Sequence, residues 1–220
     1  MLAPTPLPRS PPATALLPGP RESRAKRLLD LACVVPGLLL VAPALPLIAV
    51  AIRLDSPGPA LFRQERVGQG GRPFWMLKFR TMRQEAGAPG ALLTVGEDPR
   101  ITRVGGLLRE LKLDELPQLL NVLRGEMSLV GPRPEVRHYT ERYTPAQRRV
   151  LALRPGITSP ASLAYRDESA LLATFADPEQ AYLTQIMPHK IQLHLDYAAH
   201  ASVLSDLGLL LRTVARLLHR

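Results

Sequence analysis

The chain has 220 residues, 46% of them apolar, and a formal net charge of +9, enough for one domain with a core plus a membrane element. With mean hydropathy near zero, this composition excludes both a wholly disordered chain and a polytopic transporter. Aromatics make up only 5%, which weighs against single-strand nucleic-acid binding, where bases stack on aromatic platforms. The positive charge instead suits partners that carry phosphate: a nucleotide, a lipid head group or both.

Residues 1–20 carry seven prolines and no apolar periodicity, and read as a disordered, partly extended tail. A basic cluster follows at Arg21, Arg24, Lys26 and Arg27. Residues 31–52 then run 22 positions without a charge, long enough at about 1.5 Å per residue to cross a bilayer core of about 30 Å. Cys33 lies in this run and reads as a small buried hydrophobe; as the one cysteine it excludes an internal disulfide or a Cys-rich zinc site. A cleaved signal peptide is disfavoured by the long Pro-rich stretch in front. A straight span is the default for such a run. Against it stand Pro36, Pro43 and Pro46, each removing a helix donor. Basic flanks are equal as well, four Lys/Arg in 11–30 and four in 53–72, so the usual charge bias of a span is missing. These features favour a helix that enters, bends near Pro43 and returns to the same face.

Residues 59–82 read as two short strands around the turn Gly68-Gln69-Gly70-Gly71. Residues 84–100 read as a polar loop, broken by Gly, Pro and the Asp98-Pro99 pair. A short helix is expected over 107–113 and a second over 115–124, with Leu116, Leu119, Leu120 and Leu123 on one face and Gly125 as the stop. Residues 145–153 and 178–199 also read as helical. Residues 203–218 form an apolar stripe flanked by Arg212, Arg216 and Arg220, suited equally to a membrane surface or to a core.

Asp114-Glu115 is the informative pair. Pro117 is tolerated only in a first helical turn, which places both carboxylates at a helix N-terminus. Adjacent residues there point in different directions, so one can face a reacting phosphorus while the other holds a metal. The same pair also reads as an ordinary cap, because acids suit a positive helix end. The surroundings are basic and rigid: Lys78 and Arg80 close a strand, Arg109 precedes the acids, and Arg133 and Arg154 sit in Pro/Gly loops. Arginine forks match phosphate oxygens, and together these residues outline a diphosphate site with an acidic centre that calls for a divalent ion.

The motifs resemble those of the bacterial sugar transferase family, the monotopic phosphoglycosyl transferases, in its short form. They are Lys26-Arg27-Leu28-Leu29-Asp30, Gln64-Glu65-Arg66-Val67-Gly68 and Lys78-Phe79-Arg80-Thr81-Met82. Next come Leu113-Asp114-Glu115-Leu116-Pro117-Gln118-Leu119 and Asn121-Val122-Leu123-Arg124-Gly125. The series ends on Met127-Ser128-Leu129-Val130-Gly131-Pro132-Arg133-Pro134 and Arg154-Pro155-Gly156-Ile157-Thr158, so the resemblance covers about residues 25–218. Ala42-Pro43 stands where family members commonly carry Ser-Pro at the helix break, so a hydroxyl that could satisfy a freed backbone group is absent. Residues 157–162, Ile-Thr-Ser-Pro-Ala-Ser, replace a more frequent Ile-Thr-Gly-Trp-Ala-Gln, in a part that bears on the sugar.

The resemblance implies transfer of a sugar-1-phosphate from a nucleotide-diphosphate sugar, of the UDP type, to polyprenyl (undecaprenyl) phosphate, the first step of glycan or exopolysaccharide assembly. It implies Asp114 as the nucleophile of a covalent phosphosugar intermediate and Glu115 as a ligand of Mg²⁺, with Mn²⁺ the other suited cation. Lys78, Arg80, Arg109, Arg133 and Arg154 would contact phosphate, and Asp196 would support the site. Pattern and resemblance together predict an α+β, mostly helical monotopic membrane protein with a re-entrant helix broken at Ala42, Pro43 and Pro46, a short β-hairpin and amphipathic interfacial helices. The predicted organisation is a tail over 1–20, a basic flank and membrane helix over 21–55, and a catalytic domain over 56–220 on the cytoplasmic face of a bacterial inner membrane, among its lipids. The rival readings are an inactive scaffold of the same family, and a membrane-tethered nucleic-acid-binding module whose affinity would fall steeply with salt.

Overall fold

The computed structural model describes residues 24–83, 92–96 and 98–218. The Pro-rich stretch, Arg21 and the greater part of the polar loop lie outside the described residues. Two helices open the described chain, α1 (Arg24–Val41) and α2 (Ala44–Asp55), bent by 60° at their junction. The bend falls where Pro43 has no N–H to donate: Ala42 N still donates to Leu38 O at 2.8 Å, and Pro43 then caps α2. Pro36 sits inside α1, whereas Pro46 falls in the first turn of α2, where backbone donors have no intrahelical partner anyway. Among the described residues no single helix is long and apolar enough to cross a membrane; the bent pair together has the length and composition. Leu39, Leu40, Leu47 and Leu54 are exposed on it. Cys33 is also exposed, which corrects the expectation of burial: only the face of α1 carrying Asp30 and Val34 is covered by the rest of the protein.

The expected hairpin is present. Strand β1 (Leu61–Val67) pairs antiparallel with β2 (Pro73–Phe79), from Leu61 opposite Phe79 to Val67 opposite Pro73. The connection turns at Gly70 and Gly71, whose positive φ of 67° and 76° suits glycine. Helix α3 (Arg103–Glu110) begins four residues ahead of its expected start because Thr102 caps it, its Oγ1 accepting from Gly105 N at 3.0 Å. A 3₁₀ turn (Leu113–Glu115) leads into α4 (Gln118–Arg124), which Gly125 ends at φ 82°. Strand β3 (Ser128–Val130) precedes α5 (Arg137–Thr140) and a 3₁₀ segment (Gln147–Ala152), and β4 (Gly156–Thr158) pairs parallel with β3. Short helices α6 (Pro160–Ala164), α7 (Glu168–Leu172) and α8 (Pro178–Ala181) follow; α8 runs through a π turn (Tyr182–Ile186) into α9 (Met187–His200), and α10 (Val203–Leu218) ends the described chain.

One apolar core joins α1, β2, α4, β3 and α10 through Val34, Met76, Val122, Leu129 and Leu209. A second gathers Tyr139, Leu172, Tyr182, Ile186 and Ile191 from the later helices. A third, smaller one packs Ile52 of α2 on Phe79 and Leu108. The core reading of the last helix holds for one side, where Leu209 and Leu210 face the first core, while Leu204, Leu207, Leu211 and Val214 are exposed.

Candidate active site

The acidic pair is set by backbone geometry on both sides. Lys112, at φ 57°, is the one non-glycine residue of positive φ among the described residues, and it turns the chain sharply into the 3₁₀ turn. Pro117 caps α4 on the other side, so the carboxylates precede that helix rather than opening it, which corrects the expected start at 115. Asp114 is 8% exposed and its Oδ1 is buried with no hydrogen-bond partner; neither the turn nor α4 has a side-chain cap bond. The ordinary cap reading therefore loses its contact. Burial pushes the Asp114 carboxyl up from its usual range, against the pull of Lys78.

Glu115 is treated differently. Arg133 donates from Nη2 to Glu115 Oε1 at 2.7 Å and Lys78 donates from Nζ to the same oxygen at 3.2 Å. Burial alone would raise this carboxyl, but the two cations outweigh it and hold the group well below the usual carboxylate range. Desolvation brings Lys78 down to about 8 despite Glu115 beside it. The loop carrying Arg133 is fixed at several points: Arg66 Nη1 donates to Pro134 O at 3.0 Å, Val67 N to Glu135 O at 2.9 Å, and Gly156 N to Pro132 O at 2.8 Å. Asn121 of α4 clips that helix to β2 beside Lys78, accepting from Leu77 N at 3.0 Å and donating to Trp75 O at 2.8 Å.

Lys78, Glu115, Arg133 and Arg66 line a cavity of about 490 Å³ between the first two cores. Arg66, Lys78, Arg109, Lys112, Arg133, Arg166 and Lys190 face it, against the acids Glu115, Glu135 and Glu168. Its far side is a buried ionic network in which Lys190 meets Glu168 at 2.8 Å and Glu135 at 3.8 Å, and the Tyr182 hydroxyl donates to Glu135. The variant segment after Arg154-Pro155-Gly156 contributes Ile157, Thr158, Ala161 and Ser162 to the same wall.

Of the residues singled out from sequence, the structure brings Lys78, Arg109, Glu115 and Arg133 to this cavity, with Asp114 adjoining. Arg80, Arg154 and Asp196 lie elsewhere. Arg80 is 3% exposed and clamps the end of α2, its Nη2 donating to Ser56 O at 2.6 Å and to Ile52 O at 3.3 Å. Arg154 faces a separate cavity of about 560 Å³, behind the Gly131-Pro132 wall and beside Arg24, Arg27 and Arg124. Asp196 lies on α9 and accepts from Gln192 at 2.7 Å. Arg66 escaped the sequence reading as a site residue although it stands in a quoted motif, and Glu135 directly follows another; Lys190 has no local signature.

A divalent ion has a fitting partner in this acidic pair. Among the described residues no three His, Cys, Asp or Glu side chains gather as a metal cage. Mg²⁺ is commonly held by one or two carboxylates together with substrate phosphates, and Glu115, with the unpartnered Asp114 Oδ1 next to it, would fit such a donor set.

The profile described as bacterial sugar transferase matches residues 21–220. A UDP-glucose:undecaprenyl-phosphate glucose-1-phosphate transferase of Caulobacter vibrioides is 43% identical over 196 residues, 88% of this chain and 69% of that protein. A protein of the same name from Escherichia coli is 36% identical over 86% of this chain and 39% of its own length. A UDP-N-acetylgalactosamine-undecaprenyl-phosphate N-acetylgalactosaminephosphotransferase of Aeromonas hydrophila is 46% identical over 59% of this chain and 30% of its own length. The chain thus spans well under half of the last two relatives. With the profile covering nearly its whole length and Glu115 of the acidic pair lining a basic cavity, the chain belongs to the bacterial sugar transferase family.

Proposed function

We propose that the chain transfers a sugar-1-phosphate from a UDP-sugar to undecaprenyl phosphate, giving undecaprenyl diphosphate-sugar and UMP. Its enzyme class, phosphoglycosyl transferase, follows from the family and from the names of the relatives. The observation that carries the reading is the contrast within the acidic pair: Glu115 is engaged by two cations while Asp114 keeps a buried oxygen without a partner.

Asp114 would attack the sugar-bearing phosphorus, forming an aspartyl O–P bond as the P–O bond to UMP breaks and its electrons leave with UMP. An oxygen of undecaprenyl phosphate would then attack the same phosphorus, forming the new diphosphate linkage and releasing the Asp114 carboxylate. Burial favours this step, because a poorly hydrated carboxylate loses little solvation when it attacks. Lys78 and Arg133 would face the phosphate oxygens and spread the charge that shifts from one side of phosphorus to the other. Arg66, Arg109 and Lys112 would seat the rest of the diphosphate. Mg²⁺, when held by Glu115 beside Asp114 together with the donor phosphates, would supply charge neutralisation of the diphosphate.

The exposed apolar faces of the bent α1–α2 pair and of α10 support residence in one leaflet of the inner membrane, with the cavity on the cytoplasmic side where nucleotide sugars are found. The test is to incubate purified full-length protein with a panel of nucleotide sugars and follow nucleoside monophosphate release with and without undecaprenyl phosphate. Release with one donor, coupled to a lipid-linked sugar product, supports the reading. No release with any donor, in the presence of Mg²⁺ and acceptor, contradicts it.

A further inference from the structure

Arg27 stands in the Lys26-Arg27-Leu28-Leu29-Asp30 motif at the start of α1, where a basic residue would ordinarily be read as a flank charge facing lipid head groups. Its guanidinium is otherwise employed: Nη1 donates to Val122 O at 2.6 Å and Nη2 to Leu123 O at 2.9 Å. These are last-turn carbonyls of α4; Gly125 N also donates to Val122 O at 2.9 Å, so the arginine adds a second donor there and reaches Leu123 O beyond it. We infer that Arg27 is a positioning residue for Asp114 and Glu115, acting through α4.

Helix α4 is only seven residues long, and hydrogen bonds link it to the turn that carries the acids across Pro117, which has no N–H: Leu120 N donates to Pro117 O, Leu119 N to Leu116 O, and Leu116 N to Leu113 O. A displacement of its C-terminal end therefore moves its N-terminal end as a unit. Arg27 cannot follow such a displacement, because α1 is pinned on either side of it. Lys26 Nζ contacts Asp206 Oδ2 of α10 at 2.5 Å, and the buried Asp30 accepts from Ser128 Oγ at 2.8 Å and Leu129 N at 3.1 Å of β3. The arginine fork thus ties the acidic pair to a helix fixed on two other elements. Its planar geometry, with two donors at a set spacing, matches two neighbouring carbonyls in a way that a point charge does not.

This inference rests on the proposed transfer reaction, and Arg27→Lys separates it from a flank-charge role. Lysine keeps the charge but not the fork. The variant is expected to sediment with membranes like wild type and to keep the donor KM, while kcat falls about tenfold or more through misplacement of the acids. Wild-type kcat in Arg27→Lys would overturn the inference. Arg27→Ala gives a second reading should Arg27→Lys fold poorly: ethylguanidinium, but not ethylammonium at equal ionic strength, restores folding or kcat. An equal response to both cations would count against the fork. If wild type itself releases no nucleoside monophosphate with any donor, the proposed function fails, and hydrogen exchange still reads the fork. Faster exchange of the amides of residues 118–125 in Arg27→Lys supports it, and unchanged exchange sinks it.

Discussion

Arg133 donates to Glu115 at 2.7 Å through a loop that is itself tied to β1 and β4, so the ion pair joins three parts of the chain at the mouth of one cavity. Glu115→Gln leaves Arg133 and Lys78 facing a neutral amide. Turnover is expected to fall by about a hundredfold or more, because the cations lose the partner that orients them. The stability cost is smaller, about 1–2 kcal/mol, since the Arg133 side chain is 35% exposed and water screens the pair. Nucleoside monophosphate release and thermal unfolding measure the two separately. Chelation should stop wild-type turnover, with Mg²⁺ or Mn²⁺ restoring it; undiminished turnover in excess chelator would remove the metal from the scheme.

Asp114→Asn tests the nucleophile. The amide has nearly the same shape and is a poor nucleophile, so turnover should vanish. Stability should hold or rise by about 1 kcal/mol, because the substitution removes a buried charge whose Oδ1 has no partner. A merely structural Asp114 predicts the reverse, with turnover kept and stability lowered. Intact-mass detection of a sugar-phosphate adduct on wild type, absent from the variant, completes the test.

The sequence carried the hairpin plainly, since alternating residues and a Gly-rich turn are local signals that antiparallel pairing only has to close. The β3–β4 pair was illegible: each strand has three residues, and the partners lie far apart in the chain. The acidic pair could be found from its spacing to Pro117, yet sequence could not choose between cap and reactive group. That choice depends on whether a donor meets Asp114 Oδ1, and none does. Arg80 shows the opposite failure. Charge and proximity to Lys78 suggested phosphate, and strand alternation alone would put residues 78 and 80 on one side; but β2 ends at Phe79, and Arg80 turns to the carbonyls ending α2.

His194 sets an acid limit on stability. Burial, with Lys190 nearby, pushes its imidazole down to about 3, so it stays neutral in the folded protein. In the unfolded chain it protonates near the ordinary value of about 6.5. Its contribution is therefore complete above about pH 6.5 and shrinks as pH falls toward 3, reaching a loss of about 2 kcal/mol by pH 5. His194→Gln should flatten the decline in unfolding free energy between pH 6.5 and 5. An equally steep decline in the variant would assign the acid sensitivity to other groups.

Gly131 and Gly156 hold the two Arg-Pro loops together by close backbone approach. A Cβ on Gly156 would stand 2.1 Å from Gly131 N, and one on Gly131 would stand 2.3 Å from Arg154 O. Backbone held by the bonds from Gly131 N to Thr158 O at 3.0 Å and from Gly156 N to Pro132 O at 2.8 Å gives way only at a cost, so Gly156→Ala should cost about 3 kcal/mol and reduce turnover by unseating Arg133. Gly37→Ala is the control, since its Cβ meets nothing within 4 Å. Denaturant unfolding of the two variants should differ by most of that amount.

The topology of the bent helix pair can be argued from what holds its ends. At the start of α1, Lys26, Arg27 and Asp30 bond to α10, α4 and β3. At the far end, Arg80 clamps Ile52 and Ser56, and Asp55 Oδ2 accepts from Val104 N of α3 at 3.0 Å. Both ends are thus fastened to one catalytic body, and a transmembrane arrangement would have to tear one set of bonds apart. Re-entry at the 60° bend keeps both sets and leaves the exposed leucines near the break to the lipid. Bare backbone groups beside Pro43 then stay within reach of the interface, whereas mid-bilayer they would cost several kcal/mol each. Single cysteines at the exposed Ala25 and Pro59, in a Cys33→Ala background, report the outcome with a membrane-impermeant thiol reagent. Labelling of both positions only after the cytoplasmic face is opened is expected. Labelling of position 25 from outside intact cells would show a span, and the common fastening of the two ends would not survive in the membrane.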